Sequence, residues 1–577
     1  MSIWNSIPLS VASEPAQMAD QLGIHELLAR LLVRRGITTY EQARLFFRPH
    51  FGVLHDPFLM KDMDKAVARV ETAIAMGQKI QVYGDYDVDG TTAVAILSEY
   101  LQSRGVDVFP YIPQRFKEGY GINEEGIKTA SQQGVQLIIS VDCGITAIDE
   151  AVLIREKGME LIICDHHTVG DKLPDAVAIL DPKRPDCPYP FKGLSGAAVA
   201  LKLIQALLIK DYNKRGISLS EGDVMTLLDP YLDLTAISIA SDIVPMEDEN
   251  RLLTSAGLRK INERPRTGLA ELMKHVRCTP GTLTSGTVVF SLGPRINAAG
   301  RMGDAITALD LLLAKTSQEA NEIVVKLEQI NIERKEVDRV MFEEAQKIVF
   351  EGQDEHEHII ILQNEKWHQG VIGIVASRLV DLFHRPTILL TSDGNGYLKG
   401  SGRSVKGFNI YTALQQAGDV LQQFGGHEFA GGMTLRHDRY EEFRHRMREY
   451  ASQMMSQADL KPRLEYEEEI DLREVDQKFW KILSQFEPFG PGNERPVFVS
   501  RGVMLSGAPF VVGQGHLKLK IQQNGSGTFE AIGYRMHEFL PQLTRFGSRG
   551  FDIAYQIEEN HFRGKRTLQL NLLDIQV

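Results

Sequence analysis

Cysteine is scarce. The chain has four in 577 residues (Cys143, Cys164, Cys187 and Cys278), scattered and with no CxxC pair. This reads as reduced thiols in a cytosolic protein. Long apolar runs are also missing: no stretch approaches 18 uninterrupted apolar residues, so no membrane span is expected. The N-terminus has no basic region followed by an apolar core, so no secretion is expected either. There is no excess of basic residues. Lys and Arg number 64 against 76 Asp and Glu, a net charge of −12, which argues against a protein that coats nucleic acid by bulk electrostatics. The charge is uneven, however. Arg495–Val577 holds ten Lys or Arg against six Asp or Glu, which leaves room for a local basic groove. Internal repeats and low-complexity tracts are absent too. At 43% hydrophobic and 24% charged the composition is that of an ordinary globular protein, and the length exceeds a single core, so two to four domains are expected.

The pattern along the chain divides it further. Residues 1–55 form an N-terminal segment with a short helical stretch at Ile24–Arg34 and a helix start at Thr38-Thr39-Tyr40-Glu41. Within 56–305 strands alternate with helical stretches: Lys79–Asp85, Gln136–Asp142, Glu160–Asp165 and Ala176–Leu180 read as strands, and Thr91–Arg104 as a helix. Such alternation predicts a parallel α/β sheet, with ligands beyond the carboxyl ends of the strands. The region 306–354 is a connector dominated by one long amphipathic helix, Ser317–Phe350. A second α/β lobe spans 355–455, opening on the strand His358–Leu362. From 463 to 577 the short strands predict an all-β barrel or sandwich. The acidic run Glu465–Glu469 reads as a solvated face or a linker.

The chemistry concentrates at strand ends. Gly84-Asp85-Tyr86-Asp87-Val88-Asp89-Gly90 places three carboxylates within five residues after an apolar strand. Like charges so close need a proton or a metal between them, and hard oxygen donors suit Mg²⁺ or Mn²⁺. A calcium loop of the EF-hand type is excluded, because its twelfth position, which must be Glu, is Ile96. A plain turn in which Asp89 or Thr91 caps the following helix explains one acid but not three. Asp142, before Cys143 and Gly144, repeats the strand-acid pattern. Asp165-His166-His167 ends another strand, where one imidazole can bind a metal, the other can face substrate, and Asp165 can orient a ring. Asp242 closes the apolar run Leu232–Ala240 and is either a cap or a buried ligand. Cys143 and Cys164 lie among hard oxygen donors and read as packing residues.

In this order VYGDYDVDGTTA, SVDCGI, CDHHT and SDIVP resemble the four motifs of the DHH phosphoesterase superfamily. GPRINAAGRMGD (Gly293–Asp304) and FGGHEFAGG (Phe424–Gly432) are similar to later motifs of its RecJ branch and of the DHH-associated domain. The resemblance covers about residues 80 to 435. It implies two α/β lobes, a DHH domain at 56–305 and a DHH-associated domain at 355–455, joined by the long helix, with a C-terminal OB-type barrel at 463–577. It further implies a single-strand-specific 5′→3′ DNA exonuclease that releases 5′-mononucleotides by two-metal catalysis with Mg²⁺ or Mn²⁺. The implied metal ligands are Asp87, Asp89, Asp142, His166 and Asp242, with Asp89 and Asp142 bridging two ions. Asp85 is a further ligand or a supporting acid. His167 contacts the phosphate, and Asp165 belongs with it in the catalytic set. The pyrophosphatase branch has a histidine where this chain has Tyr83, which separates it from that branch.

Substrate residues follow from residue type. Arg115, Arg301 and Arg403, the last close to Ser401, offer planar forks for phosphate beside glycines that admit backbone N–H groups. The resemblance implies that such a cluster holds a terminal 5′-phosphate. The alternative for each is a surface arginine. Gly426 and His427 either cradle another phosphate or are structural. Tyr86, Phe116 and Tyr120 are candidate stacking aromatics or packing residues. Lys518, Lys520, Arg563, Lys565 and Arg566, among His516, Tyr555, His561 and Phe562, make the barrel either a single-strand groove or a scaffold. Two rival readings are a small-substrate phosphoesterase and a non-catalytic DNA-binding scaffold. The expected partners are a single strand with a 5′ end, a single-strand-binding protein and a helicase, with no membrane and a monomeric chain.

Overall fold

The computed structural model describes residues 2–9, 15–49, 52, 54–352, 357–456, 459–546, 549–562 and 565–577. Its chain contacts define two compact units, Phe51–Leu460 and Met1–His50 with Lys461–Val577. No helix among the described residues is long and apolar enough to cross a membrane.

The Phe51–Leu460 unit opens on a five-stranded parallel sheet. Its strands are Ile80–Gly84, Val108–Tyr111, Leu137–Val141, Glu160–Cys164 and Ala178–Leu180, and the first lies between the second and the third. Both faces are covered, so the central strands read as unbroken apolar runs. Val82, Ile139 and Ile162 point into a core shared with Val94, Leu97 and Leu201. Tyr83, Ile138 and Ile163 point the other way, onto Ile127, Ala151 and Ile154. The helix after the first strand (Val88–Ser103) packs on one face and the helix after the third (Ile148–Glu156) on the opposite face. This divergence opens a crevice at the carboxyl ends of these two neighbouring strands, where open α/β sheets bind ligands.

Behind the crevice stand the helices Gly196–Lys214, Glu221–Ser241 and Asp248–Glu263. Two of them meet backbone to backbone at Gly257, where a Cβ would sit 2.1 Å from the Leu232 carbonyl oxygen. The helix Ser317–Gly352 runs for 36 residues, about 54 Å. Ala320, Val324 and Leu327 at its start belong to the core of the first sheet. Met341, Ala345 and Val349 near its end belong to a core with Ile360, Leu389 and Val375. The second sheet orders its five strands Gln423–His427, Ala430–Arg436, Tyr397–Arg403, Thr387–Ser392 and Ile360–Gln363, with only the last pair parallel.

In the other unit Phe498–Leu505, Phe551–Phe562, Lys565–Gln576, Phe529–Gly533 and His516–Gln522 pair in that order. A further pairing of the last with the first closes them into a five-stranded ring, the OB arrangement. The N-terminal helices Glu26–Arg34 and Tyr40–Phe47 add Leu28, Leu31 and Leu32 from the first and Ala43 from the second to a core with Phe479, Leu483 and Phe486. Thr39 caps the second of these helices in a capping box with Gln42. The strand Ile3–Ser6 pairs in parallel with Arg463–Tyr466. The acidic run Glu465–Glu469 is thus part of a paired strand region and only in part a solvated face: Glu465 and Glu469 are exposed. Glu467 and Glu468 are buried, Val497 N–H donates to Glu467 at 2.7 Å, and Arg34 pairs with Glu468 at 2.8 Å. Of the basic and aromatic groups expected on the barrel, Arg563 and the side chains of Lys565, His561 and Phe562 lie outside the described residues.

Gly257→Ala is expected to force the two helices apart and to cost about 1–3 kcal/mol of stability, read as a lower urea midpoint or melting temperature.

Candidate functional site

The loop after the first strand is shaped by its neighbours. Asp87 caps the Val88–Ser103 helix, accepting from Gly90 N–H at 3.0 Å; the cap is thus Asp87, not Asp89 or Thr91. Gly90 lies so close to the returning chain that a Cβ would sit 2.5 Å from the Asp85 backbone. From the far side the Gly293–Met302 helix clamps the loop. Asn297 Oδ1 accepts from Val88 N–H at 3.1 Å, and a Cβ on Gly300 would sit 2.1 Å from the Tyr86 carbonyl oxygen. Asp89 faces the start of the Gly196–Lys214 helix and takes three donors: Gly196 N–H at 2.6 Å, Ala197 N–H at 2.8 Å and Ser238 Oγ–H at 2.6 Å. The partial positive charge of the helix N-terminus favours that carboxylate. Asp142 adopts φ 59° at the end of its strand, a left-handed conformation that Asp tolerates. A Cβ on Gly196 would meet Asp142 Cβ at 2.5 Å, so the same helix start seats both acids.

These elements converge on His166. Its Nε2 lies 3.1 Å from Asp142 Oδ1, 3.5 Å from Asp242 Oδ2 and 3.6 Å from Asp89 Oδ2. Three overlapping donor sets have ligand atoms within 4.8 Å of one another: Asp85, Asp87 and Asp142; Asp89, His166 and Asp242; and Asp142, His166 and His167. Burial and then the neighbouring acids push Asp85, Asp87, Asp142 and Asp242 above the usual carboxylate range. Burial pushes His166 down to about 4. A neutral His166 with its proton on Nδ1 turns the Nε2 lone pair towards three carboxylates, an arrangement that favours a cation between them. Asp85 Oδ1 and Asp242 Oδ2 are buried without a hydrogen-bond partner. This set of hard oxygens with one imidazole fits Mg²⁺ or Mn²⁺. Tyr83, at the position of the pyrophosphatase histidine, donates instead to the Gly121 carbonyl at 2.9 Å.

Asp165 is buried and accepts four hydrogen bonds. It accepts from His166 N–H at 2.7 Å, His167 N–H at 3.2 Å, His167 Nδ1 at 2.7 Å and Ile145 N–H at 2.9 Å. Burial opposes its charge, but these donors hold it well below the usual carboxylate range; three of them converge on Oδ1, which thus serves the two histidines. In turn, although burial works against it, the Asp165 hydrogen bond raises His167 to about 9. The other nitrogen of His167 lies 3.3 Å from the hydroxyl of exposed Tyr120.

A cationic group lies next to the acids. Arg115 covers the Tyr86 ring at 4.9 Å. Arg301 donates to the Gly370 carbonyl at 3.3 Å, and Arg403 to Ser401 Oγ at 3.1 Å and the Gly402 carbonyl at 2.8 Å. None of the three has a carboxylate partner among the described residues. Burial, then Arg115 and Arg403, push Arg301 down to about 10. Gly373, in the first turn of the Ile372–Phe383 helix, has no Cβ to displace Ser401 Oγ, which would lie 2.9 Å away. His427 is exposed, accepts from Phe429 N–H at 3.3 Å within its own hairpin, and is lowered by burial and then by Arg403. Gly426 precedes it at φ 142°, pressed against the Ala430 carbonyl. Phe116 is packed edge-on against His368, with ring centroids 5.2 Å apart.

The sequence reading missed Asn297, Ser238 and Asp181. Asp181 is buried at the end of the fifth strand, raised to about 7 by burial, with Oδ2 unpartnered. The strand-acid pattern that marked Asp142 was available for Asp181 too. Asn297 and Ser238 carry no such mark, because only their contacts distinguish them. Asp165→Asn removes the partner that raises His167. In the metal-free protein the His167 imidazole is then expected to titrate well below about 9, followed by NMR.

Three regions match known families: residues 79–239 the DHH family, N-terminal domain; 356–453 the DHHA1 domain; and 466–574 the RecJ OB domain. The single-stranded-DNA-specific exonuclease RecJ of Bacillus subtilis is 38% identical over 562 residues, 97% of this chain and 69% of that protein. Its counterpart in Salmonella typhimurium is 33% identical over 580 residues, 98% of each chain. The crystal structure of RecJ in complex with Mn²⁺ from Thermus thermophilus superimposes with a TM-score of 0.82 at 27% identity, covering 100% of this chain and 79% of that one. A second structure of that protein, with Mg²⁺, gives 0.76 at 26% identity, covering 100% and 78%. With this likeness extending through both lobes and the barrel, the chain belongs to the RecJ family of single-stranded-DNA-specific exonucleases.

Proposed function

We propose that this chain is a metal-dependent exonuclease that hydrolyses single-stranded DNA from its 5′ end and releases 5′-mononucleotides. The observation that carries the reading is the convergence of buried Asp89, Asp142 and Asp242 on His166, with arginines free of acidic partners alongside. Asp85, Asp87 and Asp142 would hold one divalent ion, and Asp89, His166 and Asp242 a second. Bound there, two such ions supply Lewis-acid polarisation of the scissile phosphate and activation of water. Asp89 Oδ1 already accepts two hydrogen bonds and Oδ2 one, so a single lone pair remains for a metal. Asp89 would thus offer a metal one lone pair, and Asp142, a member of two of the donor sets, would offer more.

The remaining residues position the strand. His167, charged through Asp165, presents a donor to a phosphate oxygen and favours the charge that grows in the transition state. Arg115, Arg301 and Arg403, with Ser401 and the first turn of the Ile372–Phe383 helix, form a cradle for a terminal phosphate. Anchoring that end sets the polarity of degradation. Gly426 and His427 line the same neighbourhood. All these groups come from one chain, which suits a monomer. The thiols, free among the described residues, suit the cytoplasm. Cooperation with a single-strand-binding protein and a helicase belongs to the same reading. On the barrel, His516, Lys518 and Lys520 alternate with buried Leu517 and Leu519 and so form an outward basic face for a single strand.

Asp142→Ala is expected to lower hydrolysis of end-labelled single strands by more than the roughly 10–100-fold that outer partners of a metal are worth. On the same assay Arg403→Ala is expected to raise KM about 10–100-fold on 5′-phosphorylated strands and far less on 5′-hydroxyl strands. Replacing both Lys518 and Lys520 by Ala is expected to flatten the plot of log affinity against log salt by about 0.7 per lost phosphate contact, measured by fluorescence anisotropy.

A further inference from the structure

Among the described residues the two most exposed large apolar side chains are Phe290, at 82%, and Ile243, at 79%. Ile243 adjoins the acid cluster, Phe290 stands in a turn that packs against the helix leading to Asp242, and both sit on irregular backbone. Ile243 directly follows Asp242, the C-cap of the Glu221–Ser241 helix, and has φ 58°. A left-handed residue just past a helix C-cap is normally glycine. A β-branched side chain there is strained, and strain of this kind concentrates at functional positions. Val244 and Met246 anchor the following chain in the core, while the Ile243 side chain is turned out to solvent. Phe290 stands in a π-helical turn, Val288–Leu292, between buried Val288 and Leu292. Single π turns inside helical segments recur at functional sites. The turn leads into Gly293, where a Cβ would lie 3.1 Å from Ser241 Oγ, so this turn abuts the end of the helix that carries Asp242 and Ile243.

We propose that Ile243 and Phe290 form an apolar contact for the unpaired bases of the DNA strand whose phosphodiester enters the acid cluster. The fold gains nothing from either side chain, since neither is covered and Ile243 costs backbone strain. Continuity with Asp242 decides the occupant. Any strand presenting a phosphate to Asp242 and His166 carries its neighbouring bases past the residues that flank them. An unpaired base offers an apolar face that contacts such side chains whatever its identity, and Phe and Ile are side chains that wedge between base steps. A base pair keeps both faces stacked, so the contact also disfavours duplex. This inference rests on the single-strand exonuclease reading.

The test uses the full-length protein as Ile243→Asn, Phe290→Ala and the double variant. Asn tolerates the left-handed backbone, so Ile243→Asn removes the apolar side chain without adding strain. KM on a 5′-phosphorylated single strand is expected to rise about 5–100-fold per variant, with kcat changing far less. Affinity for the same strand in EDTA, read by anisotropy, should fall in parallel. Melting temperatures should not drop, and Mn²⁺ affinity by calorimetry should stay as in the unmodified protein. On a strand made abasic near its 5′ end the difference between variant and unmodified protein should vanish. Unchanged KM and affinity would overturn the inference, as would a defect that persists on the abasic strand. A loss of Mn²⁺ affinity that accounts for the loss of activity would overturn it too, because Ile243 would then only position Asp242. If the unmodified protein degrades single strands and the variants match it, this inference alone fails. If the unmodified protein degrades none, the exonuclease reading fails with it.

Discussion

Mutual repulsion among buried carboxylates is the constraint on which this structure depends. Asp85, Asp87, Asp142 and Asp242 are all raised by burial and by one another, around an imidazole that burial drives towards neutrality. Such a group is held together only by donors and packing from outside. The Gly196–Lys214 helix supplies two N–H groups to Asp89, Ser238 a hydroxyl, and the Gly293–Met302 helix a clamp on the first loop. The largely apolar helices behind the sheet thus fix acids that would otherwise move apart. The same repulsion makes the site a receptor for divalent cations, since these replace the missing counter-charge.

The cationic cluster follows complementary logic. Arg115, Arg301 and Arg403 come from a loop after the second strand of the first sheet, the last turn of the Gly293–Met302 helix and a strand of the second sheet. Without carboxylate partners among the described residues, Arg301 and Arg403 are lowered by burial and then by neighbouring arginines, an arrangement that favours an anion. The Ser317–Gly352 helix contributes to the cores on both sides of this junction, so acids and arginines are carried on one continuous framework. Tight glycine contacts at Gly370 against the Arg301 carbonyl and at Gly373 against Ser401 close the distance. Electropositive and electronegative groups so placed suit a strand with a phosphate at its end and another at its scissile bond.

Much of this was legible in the residue order. Parallel strands announce themselves as short apolar runs because both faces are covered, and the acids that end them stand out by contrast, as at Gly84–Gly90 and Cys164–His167. The long helix read from its spacing as Ser317–Phe350 extends as Ser317–Gly352. One expectation held only in part. Glu465–Glu469 looked solvated because charge usually is, yet Glu467 and Glu468 are buried while Glu465 and Glu469 are exposed. A partner far along the chain decides: Arg34 pairs with Glu468, as the Gly196–Lys214 helix start does with Asp89.

By itself the sequence determined the alternation of elements, the closed barrel's strands and the identities of the acids, histidines and arginines, since periodicity and motif order are local. Tertiary structure alone decided which acid shares which donor, that Asp165 supports His167, that the N-terminal helices complete the barrel's core, and that Ile243 and Phe290 face solvent. These depend on contacts between residues tens to hundreds of positions apart, and pairwise contact at that separation leaves no period in the chain.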